Sequence, residues 1–157
     1  AVLRALLARP DVLGIKMATL DSVMTFQDVA RLIRDEFPDR VLITGEDRFL
    51  GYSLMAGAQA ALIGMASARV GLQAALLAAF RTGQAARFIE LSDQVDRLSQ
   101  RTFLAPMEGY IQRMLWCLVH DGVIPRGAAH DPWGPRLDPA EFDRLGAFLA
   151  TLPGGSY

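Results

Sequence analysis

Three short apolar runs, at residues 12–16, 41–44 and 60–63, are separated by two segments with helical spacing. This alternation constrains the chain more than any other feature. Strand, helix and strand in succession, joined by short turns, imply parallel strands linked by right-handed crossovers, hence an α/β fold. The first run is continuous, as expected where both faces of a strand are buried. The spacing predicts strands over 11–16, 41–44 and 60–63. Helices are expected over 21–37, 49–56 and 68–81. In the first, Phe26, Val29, Ala30, Ile33 and Phe37 form one stripe, Thr25 with Asp28 offers a cap, and Pro38 closes the end.

The second half is helical. A tail of helix at 1–8 precedes the first strand, and two longer helices follow the third. In the helix at 84–103, Phe88, Leu91, Val95 and Leu98 form an apolar stripe; in the helix at 107–121, Ile111, Met114, Leu115 and Leu118 do so. A Pro/Gly-rich connector spans 122–137, with Trp133 expected to anchor it on the helices. Asp138-Pro139-Ala140-Glu141 then reads as a helix start, with an N-cap, a proline at the first helical position and an acid three residues after the cap. That helix is expected to reach about residue 152 and to end at Pro153-Gly154-Gly155.

Bulk properties exclude several classes. The 157 residues are 52% hydrophobic, enough for a sizeable core, and the net charge of −1 lacks the basic footprint of a nucleic-acid binder. A single cysteine, Cys117, rules out an internal disulfide framework and points to a reducing, cytoplasmic setting; its apolar neighbours place it in the core. Residues 49–68 carry no charge, but their glycines and polar groups read as a short helix, a turn and a strand rather than a membrane span. The chain starts without methionine inside a helix, and three parallel strands with a bare edge make a poor independent domain. The expectation is a segment of a longer protein.

One residue stands apart chemically. Lys16 is the only lysine; the other fifteen basic side chains are arginine. Arginine stays protonated, whereas a desolvated lysine can lose its proton and attack a carbonyl. An ordinary lysine snorkelling at a strand end has the same sequence signature.

The ordered set Pro10-Asp11-Val12-Leu13-Gly14-Ile15-Lys16, then Val41-Leu42-Ile43-Thr44-Gly45-Glu46-Asp47, then Gly57-Ala58-Gln59-Ala60-Ala61-Leu62-Ile63-Gly64 resembles the C-terminal half of the dihydrodipicolinate synthase / N-acetylneuraminate lyase family. The resemblance implies strands six to eight of a TIM (β/α)8 barrel over residues 1–82, followed by a C-terminal helical region over 83–157. The N-terminal half of the barrel, with the family's carboxylate-binding hydroxyl motif and proton-relay tyrosine, would lie outside this sequence.

The resemblance also assigns roles. Lys16 matches the family's Schiff-base lysine, at a strand end facing the active-site mouth. Apolar neighbours Leu13, Ile15, Ile43 and Ile63 are expected to desolvate its amine and favour the neutral nucleophile. Thr19 offers a substrate hydroxyl or, equally, a cap for the next helix. Gly45 matches a glycine whose backbone approaches the substrate. Asp47 matches the G-x-D aspartate that in the lyase branch meets substrate hydroxyls. Arg48 replaces an acid at the next position; it would bind a second carboxylate or phosphate bidentately, or pair with Asp47 or Glu46. Ile63 and Gly64 match the pocket-lining segment of the eighth strand. Met65, where a sialic-acid-type branch has serine, argues against a polyhydroxylated sugar. His130 and Asp131 read as part of a structural loop, with no third partner at metal spacing.

The implied function is that of a Schiff-base-forming lyase or aldolase (synthase, aldolase or dehydratase) acting on pyruvate or a 2-oxo sugar acid. It would need no metal or other cofactor. The expected partners are the small-molecule substrate and copies of the same chain, as a homotetramer or dimer contacting through the helices at 84–121, and neither nucleic acid nor membrane. The alternative is a non-catalytic barrel that binds a keto acid as a regulatory module.

Overall fold

The structure is a computed structural model and describes residues 1–20 and 22–152. Its elements, in chain order, are α1 (Val2–Leu7), β1 (Gly14–Met17), α2 (Val23–Glu36), β2 (Val41–Thr44), α3 (Leu50–Met55), β3 (Ala60–Ala61), α4 (Val70–Arg81), α5 (Ala85–Thr102), α6 (Tyr110–His120) and α7 (Pro139–Leu149). Short 3-10 turns at Gly64–Ser67, Met107–Gly109 and Arg126–Ala128 complete the path. The three strands form one open sheet in the order β1-β2-β3, parallel at both junctions. The chain divides into two compact units, Ala1–Gly64 and Met65–Tyr157.

In the first unit, register sorts the strand side chains onto two faces. Lys16 is level with Ile43, and Ile43 with Ala60. Because neighbours in register share a face and the pleat alternates, Lys16, Val41, Ile43, Ala60 and Leu62 share one face, and Met17, Leu42 and Thr44 the other. The second face is the buried one: Met17, Leu42 and Thr44 are all shielded, as are Phe26, Ala30 and Ile33 of α2 and Leu50 and Leu54 of α3. Ala30 and Ile33 lie beside Leu42 around one small cavity, so α2 covers this face. Phe26 meets Phe49 edge-on at 6.0 Å between centroids, joining α2 to the start of α3.

The face bearing Lys16 is open. Val41 is 39% and Leu62 62% exposed. The expectation of a first strand buried on both faces is therefore corrected for this chain: the helices cover one side only.

Several boundaries also shift for local reasons. β1 begins at Gly14, not at residue 11, because Arg9 grips Asp11 at 2.8 Å and the Val12 N–H donates to the Arg9 carbonyl, curling residues 9–12 into a turn. The α2 cap is Ser22, whose hydroxyl accepts from the Thr25 N–H at 3.1 Å. Asp28, expected to help cap, lies 3.5 Å from Arg31 instead. β3 spans only Ala60–Ala61, although the Leu62 N–H still donates to the Thr44 carbonyl at 2.8 Å. The chain then turns into the 3-10 segment before position 68.

In the second unit, α4 starts at Val70 rather than residue 68. Arg69 takes φ 55°, a left-handed conformation that breaks helical continuity, and its guanidinium is 2.6 Å from Asp121. Along α5, Phe88, Leu91, Val95 and Leu98 are all buried, as their spacing predicts. α6 is rotated from the expected stripe: Ile111 is exposed, while Gln112, Arg113, Met114 and Cys117 face inward. The cause is Arg113, which is buried and donates to the Leu104 and Pro106 carbonyls at 2.8 and 3.0 Å and to Glu141. Glu141, placed by sequence as a capping-box acid, thus serves Arg113. Asp138 caps α7 as expected, accepting from the Ala140 N–H at 3.0 Å. The helix ends at Leu149, short of residue 152, and the stop signal at 153–155 lies outside the described residues.

Trp133 is 93% exposed and anchors nothing. The connector is held instead by Gln112, whose side chain accepts from the Asp131 N–H and donates to the Ala129 carbonyl, both at 2.9 Å. No helix among the described residues is long and apolar enough to cross a membrane.

Candidate active site

The sequence-predicted site residues all fall in the first unit, at the C-terminal ends of its strands or in the turns that follow. Lys16 is the penultimate residue of β1, and its side chain is exposed on the open face. Gly45 follows the last residue of β2 and closes a ladder bond from its N–H to the Met17 carbonyl. A Cβ at position 45 would lie 2.5 Å from Lys16 Cε, 2.9 Å from Ala18 Cβ and 3.0 Å from the Met17 carbonyl oxygen. Any side chain there would displace the lysine, so glycine at this point lets the amine-bearing stem lie across the neighbouring strand's end.

The expected apolar surround of Lys16 is not assembled by this chain. Leu13 is 76% exposed, and Ile15, adjacent in a pleated strand, points to the opposite face. Ile43 is the one expected neighbour level with Lys16. Desolvation of the amine therefore requires something laid over the open face.

Gly14 has a related role one pleat earlier. A Cβ there would stand 2.1 Å from the Val41 carbonyl oxygen, so the G-I-K run can approach β2 closely only as glycine.

The turn after β2 carries a residue whose role was not evident from its position between Gly45 and Asp47. Glu46 is fully buried. Its carboxylate accepts from the Thr19 hydroxyl at 2.7 Å, from the Leu20 N–H at 2.9 Å and from the Thr19 N–H. Its own N–H donates to the Thr44 hydroxyl at 3.1 Å. Glu46 thus ties the turn after β2 to the turn after β1. Leu20 takes φ 60°, a left-handed conformation disfavoured for a branched side chain, and the carboxylate holds it there. Nothing in the local pattern T-G-E-D announces this, because both partners lie 26–27 residues upstream.

The remaining candidates are placed as follows. Thr19 is half-buried, its hydroxyl proton directed to Glu46 or to the Ser22 carbonyl 3.0 Å away. Asp47 is buried. Arg48 is exposed and enters no ion pair with another described residue. Ile63 is half-buried and Gly64 exposed, just beyond β3. Lys16 and Gly45 thus come together, Thr19 is bound to Glu46 instead, and Arg48 and Gly64 face solvent. Elsewhere, Cys117 is buried in α6, and burial, with Asp121 nearby, pushes its thiol up to about 12. It is no nucleophile at neutral pH.

An open parallel sheet with a lysine near the C-terminal end of its first strand, and Gly45 just past the end of the next, defines an α/β fold with its candidate residues at the strand ends. Comparison with solved structures narrows this fold. The chain superimposes on YagE, a prophage protein of the dihydrodipicolinic acid synthase family from E. coli K12, solved in complex with pyruvate, with a TM-score of 0.73 and 19% identity over 87% of this chain and 44% of that one. It superimposes on a putative dihydrodipicolinate synthase from Thermus thermophilus with a TM-score of 0.72 and 24% identity, over 94% of this chain and 49% of the other. The chain spans about half the length of these structures. No protein-family model matches the sequence, and no curated protein does.

Proposed function

We propose that this chain forms the lysine-bearing part of a class I, Schiff-base-forming lyase or aldolase that acts on pyruvate or another 2-oxo acid. The observation that carries the reading is the place of Lys16. The only amine side chain in the sequence sits at the C-terminal end of a parallel strand, on the uncovered face, against a glycine that leaves room for it. The fold shared with dihydrodipicolinate synthase family proteins, one of them crystallised with pyruvate, supports it.

In this reading β1, β2 and β3 are strands six to eight of a (β/α)8 barrel, and the open face is its interior. Further strands laid over that face would exclude water from Lys16 and supply the proton relay. The neutral amine attacks the 2-oxo carbon and water leaves, giving an iminium. The iminium accepts the electron pair released when a neighbouring carbon loses a proton or a C–C bond breaks. The resulting enamine is then reprotonated or adds to a carbonyl. Gly45 keeps the lysine's path clear, Asp47 and Arg48 meet polar groups of the substrate at the mouth, and Ile63 and Gly64 line the pocket floor. The protein assembles as a dimer or tetramer of such barrels.

Borohydride trapping tests the proposal. Full-length protein incubated with pyruvate and borohydride should gain one reduced pyruvate adduct, located at Lys16 by peptide mass, and Lys16→Arg should abolish both adduct and turnover. A protein that binds pyruvate without an adduct would instead be the non-catalytic keto-acid binder. Full turnover in Lys16→Arg would end the enzyme reading.

A further inference from the structure

The buried acid beside the lysine strand has no place in the chemistry above, and its bonds suggest one. Glu46 is wholly shielded, yet both its carboxylate oxygens are spent on the turn that leaves β1: one on the Thr19 N–H and hydroxyl, the other on the Leu20 N–H. The residue before it, Gly45, is the one whose backbone faces Lys16 Cε. Lys16 and Thr19 are three residues apart, so one carboxylate ties the chain just after the lysine to the chain just after its glycine cradle. Leu20, held at φ 60° by the same carboxylate, would relax to another conformation if released. Such relaxation would carry the end of β1 with it.

We propose that Glu46 is a positioning residue for Lys16: its clamp on Thr19 and Leu20 fixes the two strand-end turns against each other and so keeps the amine in its place over Gly45. The inference rests on the reading of Lys16 as the Schiff-base lysine, but its physical content, a restrained lysine, can be measured without any substrate. Glu46 touches no reacting atom in this arrangement. It acts through the geometry of the turn.

Two readouts on the full-length protein separate the two ideas. The first reads Lys16 alone: in protein labelled with 13C at lysine Cε, the side-chain CH2 signal of position 16 is the one that Lys16→Arg removes. In the wild type this signal should be displaced from the free-lysine position, with two distinct proton shifts. In Glu46→Gln, whose amide presents N–H groups to the Leu20 or Thr19 N–H, it should move to the free-lysine position, with equivalent protons. The second readout is the rate of borohydride trapping against pyruvate concentration. For the folded fraction, the limiting rate should fall between about tenfold and a hundredfold, the scale on which a misplaced reacting group costs rate. Half-saturation should stay unchanged.

An unchanged 13C signal in folded Glu46→Gln overturns the positioning role whatever pyruvate does. A collapsed signal with no adduct in the wild type leaves Glu46 a lysine-positioning residue and sinks the enzyme reading instead. A folded variant with wild-type limiting rate overturns the functional part. Should Glu46→Gln fail to fold, Thr19→Val, which removes one of the three bonds and keeps both N–H donors, carries both tests. It should move the signal partway and slow trapping a few-fold, and wild-type values for both would overturn the proposal.

Discussion

One methyl group at position 45 would decide whether Lys16 keeps its place. An alanine Cβ would meet Lys16 Cε at 2.5 Å, and Ala18 and the Met17 carbonyl lie close behind. The lysine end is flexible and the backbone oxygen is not, so the lysine is what gives way. Gly45→Ala should therefore slow borohydride trapping at least about tenfold. It should also cost about 1–3 kcal/mol of stability, as overpacking does. A thermal melt and a trapping time course on the same sample separate the two effects. Wild-type trapping in a folded Gly45→Ala protein would show that the lysine does not need that space. Lys16 and Gly45 could be picked out as candidates in sequence, the first as the only amine side chain and the second through the family resemblance, but their close approach could not. Glu46 could not be picked out, because a carboxylate announces nothing about which distant N–H groups it will satisfy.

At the scale of elements, spacing located helices and strands well wherever one apolar stripe dominated, as along α2 and α5. It failed where a polar group took over the packing. Ile111 heads an apolar stripe in sequence, yet α6 is turned so that Arg113 points inward and Ile111 out. A buried guanidinium bonded to the Leu104 and Pro106 carbonyls and to Glu141 outweighs one isoleucine, because leaving those groups unpaired in the interior costs more than exposing apolar area. Sequence periodicity weighs Arg113 as surface, so the rotation was hidden from it. Arg113→Met keeps much of the volume but strands Glu141 and the two carbonyls. It should destabilise the second unit by about 3 kcal/mol, read from denaturant midpoints. Adding Glu141→Leu should recover part of that loss, since the orphaned acid is removed with its partner. If the double variant is no more stable than the single one, the charge pair is not what sets the turn of α6.

For the molecule as a whole, the alternation of strand and helix was enough to predict a parallel sheet, and the register shows one. What sequence could not show was which strand face this chain covers for itself. A continuous apolar run looks the same whether helices bury it or another part of a barrel does. The structure resolves the two faces: Met17, Leu42 and Thr44 lie under helices, while Val41, Ile43 and Leu62 line the side that carries Lys16. Among the described residues the outer edges of β1 and β3 pair with no further strand, and these edges and a half-apolar face invite pairing with other chains. Expressed as residues 1–157 alone, the polypeptide should bind a hydrophobic dye and self-associate at micromolar concentration in sedimentation runs. Val41→Glu with Leu62→Lys should suppress both, because each places a charge on the open face without touching the buried one. If further strands close the proposed barrel over this face, the same pair in that longer protein should do the reverse, lowering the melting temperature and abolishing trapping at Lys16, since both charges would then be enclosed with the amine. If the double variant melts and traps like wild type at full length, the open face is a solvent surface. In that case the desolvation that Schiff-base chemistry at Lys16 requires must come from elsewhere.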